Sequence, residues 1–270
     1  MLDAVYAPLL PRGTPCVATN YATAELAKVA ANAFLALKPS YINAAGEMCE
    51  QAGADVLELS QALGHDARIG RRYLQAGVGF GGGCLPKGLR SFRTQAQELG
   101  VESLDELLSL VDGINADARY RAAEAAARMC GGQVAGRRIT VLGAAIKPHT
   151  DDTRDSPALD MALQLAAEGA EVTVSDPQAG GEAWLAHPPQ LIFHPDAMEA
   201  LRGAEPTMLL TEWPEFRALD PADAAAVVAR PAMLDGRNAL DAASWRAAGW
   251  DYRGIGKGTG QLIGAARAAV

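Results

Sequence analysis

The chain changes texture at Gly131-Gly132. Before that pair, Leu104, Leu107, Leu108, Val111, Ile114 and Ala118 form one apolar stripe, at the three- and four-residue spacing of a helix. Ser103-x-x-Glu106 predicts a capping box at its start, and the glycine pair ends it. A helix of ~28 residues spans about 40 Å at 1.5 Å per residue. In a chain of 270 residues, a helix that long joins two domains, forms a subunit interface or runs through a large core. Beyond the glycines, Arg138–Leu142 and Glu171–Ser175 predict strands, with a helix from Pro157 to Glu168 between them. Leu191–Phe193, Met208–Leu210, Ala232–Leu234 and Tyr252 supply further short strands. That alternation implies a mostly parallel, doubly wound sheet.

The expected fold is therefore α plus α/β. Residues 1–20 are a lead-in, with breakers at Pro8 and Pro11 and a short strand over Pro15–Thr19. Residues 21–130 form an all-helical domain, and 131–270 a Rossmann-like parallel-sheet domain joined to it by the long helix. The first helix starts near Thr23 and buries Leu26, Val29, Ala30, Ala33, Phe34 and Leu37. Pro39 should kink or interrupt it. A short helix runs from Asp55 to Leu63, and another from Leu85 to Leu99. The tail after Gly256 is rich in Gly and Ala and carries no readable chemistry.

Composition removes several classes. Hydrophobic residues make up 49% and charged residues 21%, which excludes a disordered, collagen-like or coiled-coil chain. A net charge of −8 argues against a general nucleic-acid or anionic-membrane surface and leaves room for a local basic pocket. Cys16, Cys49, Cys84 and Cys130 form no C-x-x-C pair, so no metal site or disulfide framework is expected and a reducing compartment is the default. The start lacks a basic segment, and no apolar run reaches the ~18 residues of a spanning helix. The expectation is a cytoplasmic protein that neither enters a membrane nor binds nucleic acid.

Two loops compete as dinucleotide sites, and neither persuades. Gly77-x-Gly79-x-x-Gly82 has the spacing but no strand before it. Gly143 follows a strand but lacks the second and third glycines; Asp176, ending the next strand, is placed where a ribose-binding acid would sit. Cys84 is the better lead. It follows three glycines and precedes a helix. A helix N-terminus and the nearby Lys87 favour thiolate, and glycines let a substrate approach, as a nucleophile requires. Lys28 and Asn32 share a helix face. Lys147, Arg154 and Arg237 follow strand ends, where a doubly wound sheet binds ligands and where cations suit phosphate.

Gly79-Phe-Gly-Gly-Gly-Cys84-Leu-Pro-Lys87 resembles the catalytic-cysteine signature of the UDP-glucose 6-dehydrogenase and GDP-mannose dehydrogenase family. Glu25-Leu-Ala-Lys28-Val-Ala-Ala-Asn32-Ala-Phe34 resembles its central-helix motif. Asp66-Ala-Arg68-Ile-Gly70, the run from Lys147 to Ser156 and Asp235-Gly-Arg237 match in order. The resemblance covers residues 4–256 and is closer to the UDP-glucose enzymes. Such enzymes oxidise the sugar C6 alcohol to the acid in two steps with NAD.

The resemblance implies that Cys84 attacks the C6 aldehyde on the way to a thioester, assisted by Lys28 and Asn32. Arg68, Tyr73, Phe80, Gly81, Lys147 and Arg237 would hold the UDP-sugar, with Arg237 coming from this chain or a partner subunit. Lys87 and Arg154 would meet NAD. The central helices would form a homodimer. Two departures stand out. The sequence matches the family only from the end of its NAD-binding domain, and Gly88 replaces the family's aspartate after Lys87. The expected protein is a truncated relative that binds a UDP-sugar and does not oxidise it unaided. Two alternatives stay open: a catalytic half whose NAD domain is a separate chain, and NAD-independent thiol chemistry at Cys84.

Overall fold

A computed structural model describes residues 5–8, 13–180 and 189–258. The breaker at Pro11 and the tail from residue 259 lie outside them. Helices α1 (Tyr21–Ala52), α2 (Val56–Gly64), α3 (Leu85–Glu98) and α4 (Glu102–Met129) come first. The second half runs β1 (Arg138–Leu142), α5 (Pro157–Ala167), β2 (Glu171–Ser175), β3 (Leu191–Phe193), α6 (Ala197–Ala200) and β4 (Thr207–Leu209). It continues with α7 (Pro214–Arg217), α8 (Pro221–Val227), β5 (Ala232–Asp235), α9 (Ala242–Ala247) and β6 (Asp251–Gly254). No described helix is long and apolar enough to cross a membrane.

The six strands form one sheet in the order β3-β2-β1-β4-β5-β6, and every pairing is parallel. That is the doubly wound arrangement the alternating pattern predicts. Short runs such as Ile139-Thr140-Val141-Leu142 are buried throughout, as strands covered on both faces must be. Ser156 caps α5, accepting from Leu159 N at 3.4 Å, while its hydroxyl donates to Ala144 O at 2.6 Å. The main core lies around this sheet and takes in Ala122, Ala126 and Met129 from the end of α4. The other end of α4 supplies Leu108 and Val111 to a smaller core with α1 and α3. The long helix thus joins the halves.

Four local expectations fail. Residues 14–20 carry no strand. The box at Ser103 does not form; α4 starts two residues earlier than it would allow, with Val101 as N-cap and no side-chain capping bond. Pro39 neither ends nor splits α1, which runs through it for 32 residues. Finally, Leu26 and Phe34 are 44% and 65% exposed. The buried residues of α1 are Ala33, Ala36, Ser40, Asn43 and Gly46, with Ile42 and Cys49 reaching a separate small core. Small and polar residues face inward there because α3 and α4 pack close and a backbone needs hydrogen-bond partners.

Candidate active site

The strand order reverses between β1 and β4, and a cavity of about 750 Å³ opens outside their carboxyl ends. This is where doubly wound sheets bind ligands, and the volume suits a small molecule. One wall is Lys147, Thr150 and Asp152 after β1, Glu212 and Arg217 after β4, and Arg237 and Asn238 after β5. The opposite wall is Asn32, Leu35, Pro39 and Asn43 of α1, with the glycine loop leading to Cys84.

The glycine loop is held in a shape other residues cannot take. Gly79 and Gly82 have φ of 88° and 89°, a region open mainly to glycine. A Cβ on Gly81 would lie 2.1 Å from Asp155 O. Asn115 of α4 clamps the next residue at both ends: its Oδ1 accepts from Phe80 N at 2.8 Å and its Nδ2 donates to Phe80 O at 3.1 Å. Arg119, one turn on, donates to the same carbonyl at 2.7 Å. Gly82 N donates to Arg154 O at 2.8 Å, which ties the loop to the α/β half.

Cys84 is exposed at the N-cap of α3, and its side chain makes no capping bond. The guanidinium of Arg154 lies over Gly83, where a Cβ would come within 3.0 Å of it. Asp152 grips that guanidinium at 2.8 Å through both Nε and Nη2. The pairing lowers the Asp152 carboxyl and raises Arg154, to which the neighbouring Cys84 also contributes. A Cβ on Gly88 would sit 3.3 Å from the Asn32 Cβ and Nδ2. A side chain at 88 would therefore be directed at Asn32.

Arg237 lines this chain's own cleft. Its Nε donates to Leu210 O at 2.7 Å and its Nη1 to Gly79 O at 3.0 Å. Its side chain is 17% exposed, with the Glu212 carboxylate 3.7 Å away. Burial pushes the guanidinium below its usual value, and Glu212 opposes that shift. Asp235 fixes the loop, accepting from Arg237 N at 3.0 Å and from Ala239 N and Leu240 N at 2.8 Å.

Of the residues singled out from sequence, Cys84, Asn32, Tyr73, Phe80, Gly81, Lys147 and Arg237 line one cavity. Tyr73 does so with a φ of 64° and half its surface exposed. Lys28, Arg68 and Lys87 are exposed and are not part of this lining. Arg68 instead pairs with Asp66 at 2.6 Å. Asn43, Asn115, Arg119, Glu212, Arg217 and Asn238 were not singled out. Asn43 lies eleven residues after Asn32, three helical turns along the same face, which is the signal that finds it; its Oδ1 accepts from Gly77 N at 2.8 Å.

The described residues do not fit a dinucleotide. The place for its pyrophosphate, the loop after β1, is filled by the chain itself. Asp176 accepts from Ala144 N at 2.8 Å, Ala145 N at 2.9 Å and Trp213 Nε1 at 3.0 Å. The acid expected at a ribose thus serves as a buried anchor. A Cβ on Gly143 would strike Thr211 at 2.4 Å, so that glycine serves close packing. No group of three His, Cys, Asp or Glu side chains among the described residues is placed to hold a metal.

Comparison with known proteins agrees with the architecture. Residues 22–117 match the central domain of the UDP-glucose/GDP-mannose dehydrogenase family, and residues 140–242 match its UDP binding domain. UDP-glucose 6-dehydrogenase TuaD of Bacillus subtilis is 37% identical over 92% of this chain and 53% of its own length. UDP-glucose 6-dehydrogenase 2 of Oryza sativa is 37% identical over 95% of this chain and 58% of its own. A UDP-glucose dehydrogenase structure from Pyrobaculum islandicum superposes with a TM-score of 0.83 at 33% identity, covering 95% of this chain and 55% of that one. The chain spans about half the length of the relatives it matches. With both domains matched in succession and the helical and sheet halves superposing on a solved relative, the chain belongs to the UDP-glucose/GDP-mannose dehydrogenase family.

Proposed function

We propose that the chain binds a UDP-sugar in the cleft at the sheet reversal, with the diphosphate toward Lys147, Arg217 and Arg237 and the sugar toward Cys84. The observation that carries this reading is the single cavity in which those cations and an uncommitted thiol face each other. Guanidinium forks suit phosphate oxygens. For a sugar bearing a C6 aldehyde, the Cys84 sulfur adds to the carbonyl carbon. The C–S bond forms, the π pair moves to oxygen, and the thiol proton ends there, giving a thiohemiacetal. The Asn32 amide stabilises the developing oxyanion.

The family's enzymes are NAD-dependent dehydrogenases. We propose that these 270 residues by themselves do not reduce NAD. Two features support that reading: Asp176 fills the only strand-to-helix loop suited to a dinucleotide among the described residues, and Gly88 offers no carboxylate beside Asn32. Isothermal calorimetry tests both parts. UDP-glucose or UDP-glucuronate should give a binding heat, and NAD and NADH none. Absence of heat with the sugar nucleotides overturns the cleft assignment. NAD reduction by the chain alone overturns the second part.

A second reading has its own support. Lys28, Lys87 and Arg154 are exposed around the side of the cleft that holds Asn32 and Cys84, as a cofactor brought by a separate chain would require. Adding the dinucleotide domain of a relative should then restore NAD reduction with UDP-glucose, and Cys84→Ser should abolish it. The subunit itself is proposed to pair. Phe34, Tyr41 and Met48 recur every seven residues along α1 and are 65%, 56% and 69% exposed. Sedimentation should show a dimer, and Phe34→Lys with Tyr41→Lys should give monomers.

A further inference from the structure

Next to the cleft lies a second cavity of about 320 Å³. Asn43 and Gly77 border both spaces, joined by the Gly77 N to Asn43 Oδ1 bond. The second cavity is basic in an acidic chain. Arg121 and Arg128 from α4, Arg246 from α9, Arg253 from β6 and Lys257 line it, against Glu47 and Glu50, although the whole chain carries a net charge of −8.

Not all of that charge is free. Arg121 is held by both Glu47 and Glu50, and Lys257 pairs with Asp55 at 3.5 Å. The other three cations are paired only at the surface or make no ion pair among the described residues. Arg246 makes no ion pair among the described residues; its guanidinium lies 5.3 Å from the centre of the Tyr252 ring, and Nη2 donates to Tyr252 O at 3.3 Å. Arg128 reaches Glu124 at 3.6 Å, with both side chains open to water. Arg253 forks Asp251 through Nε at 3.3 Å and Nη2 at 3.2 Å, again at the surface. Exposed pairs like these contribute little, because water screens them. A dianion can therefore replace the carboxylates at small cost.

We propose that this cavity binds a small phosphate-bearing ligand, gripped by Arg128, Arg246 and Arg253. Three guanidinium forks from three different elements around one cavity match the several oxygens of a phosphate. The volume is at the lower end for a small-molecule site, too small for a second sugar nucleotide and large enough for a phosphorylated fragment.

Inorganic pyrophosphate is the probe, titrated into the full chain by calorimetry with and without saturating UDP-glucose. A binding heat that persists under saturating UDP-glucose, and weakens at least tenfold in the Arg128→Gln/Arg246→Gln double variant, supports the site. Heat abolished by UDP-glucose, heat unchanged in the double variant, or no heat at all overturns it. Arg128→Gln alone guards against misfolding, since its side chain is 60% exposed and it should still weaken binding severalfold. A cleft that fails to bind UDP-glucose would show in the UDP-glucose titration alone and leaves the double-variant comparison intact.

Discussion

At the scale of single residues, the four cysteines make an internal experiment. Cys84 and Cys16 are exposed, whereas Cys49 and Cys130 are buried, and burial raises both buried thiols. Iodoacetamide should label Cys84 and Cys16 and spare the other two. UDP-glucose should slow labelling of Cys84 at least fivefold and leave Cys16 unchanged, as followed by peptide mass spectrometry. Equal protection of both thiols, or none at Cys84, would detach the thiol from the ligand site. Tyr252 gives a second residue-scale test. Its hydroxyl donates to Asp235 Oδ2 at 2.7 Å, and burial first, then the Asp235 charge, pushes its pKa far up. A raised folded value means that stability is fully present below the unfolded value near 10 and is lost as pH rises beyond it. The slope from one such proton is ~1.4 kcal/mol per pH unit. Urea melts at pH 9 and 10.5 should show the wild type losing more stability than Tyr252→Phe. At pH 7 that variant should instead be weaker by ~1–2 kcal/mol for the lost bond to a buried carboxylate.

At the scale of elements, α1 shows how tertiary contacts override local preference. An interior proline costs a helix ~3 kcal/mol, yet α1 continues through Pro39. The residues around it are pinned: Lys38 Nζ donates to Ile69 O at 2.9 Å, Ser40 Oγ to Val111 O at 2.8 Å, and Asn43 holds Gly77. Pro39→Ala should restore the missing backbone bond and raise stability by ~1 kcal/mol or more in a urea melt, with an unchanged slope; a loss would mean the ring's packing in the cleft outweighs it. The same competition decides what could be read in advance. Strands such as Arg138–Leu142 were legible because apolar, β-branched runs bounded by breakers have few alternatives. The thiol was legible because glycines ahead of a helix are a local signal. Asn115 was not: a polar residue inside a helix pattern looks solvated until the Phe80 backbone arrives from 35 residues away. Phe34 failed the other way, since an apolar residue at helical spacing does not say which protein surface it will meet. The Ser103 box failed because α4 already starts at Glu102, with Val101 O accepting from Leu104 N and Asp105 N, which places Ser103 inside the first turn.

At the scale of the molecule, the candidate site exists only where the halves meet. Val78 N donates to Gly236 O at 3.1 Å, Arg237 donates to Gly79 O, and Gly82 N donates to Arg154 O. Farther back, Gly256 N donates to Glu50 Oε1 at 2.9 Å and Val56 N to Gly256 O at 3.1 Å. The core runs across the same boundary, since one end of α4 packs on the sheet and the other on α1 and α3. Separating the halves would exchange each of these bonds for water, at ~1 kcal/mol net apiece, and would expose the core they share. Two independent units are therefore disfavoured, and a single cooperative transition is expected. The sequence supplies a clean probe, because all four tryptophans, at 184, 213, 245 and 250, fall in the second half, whereas most of the helix is in the first. Tryptophan emission follows the sheet domain and far-ultraviolet dichroism is weighted to the helical one. Their urea midpoints should coincide. Midpoints separated by more than about 0.5 M, with slopes too small for the whole chain, would show that the halves fold apart and that the cleft forms by docking.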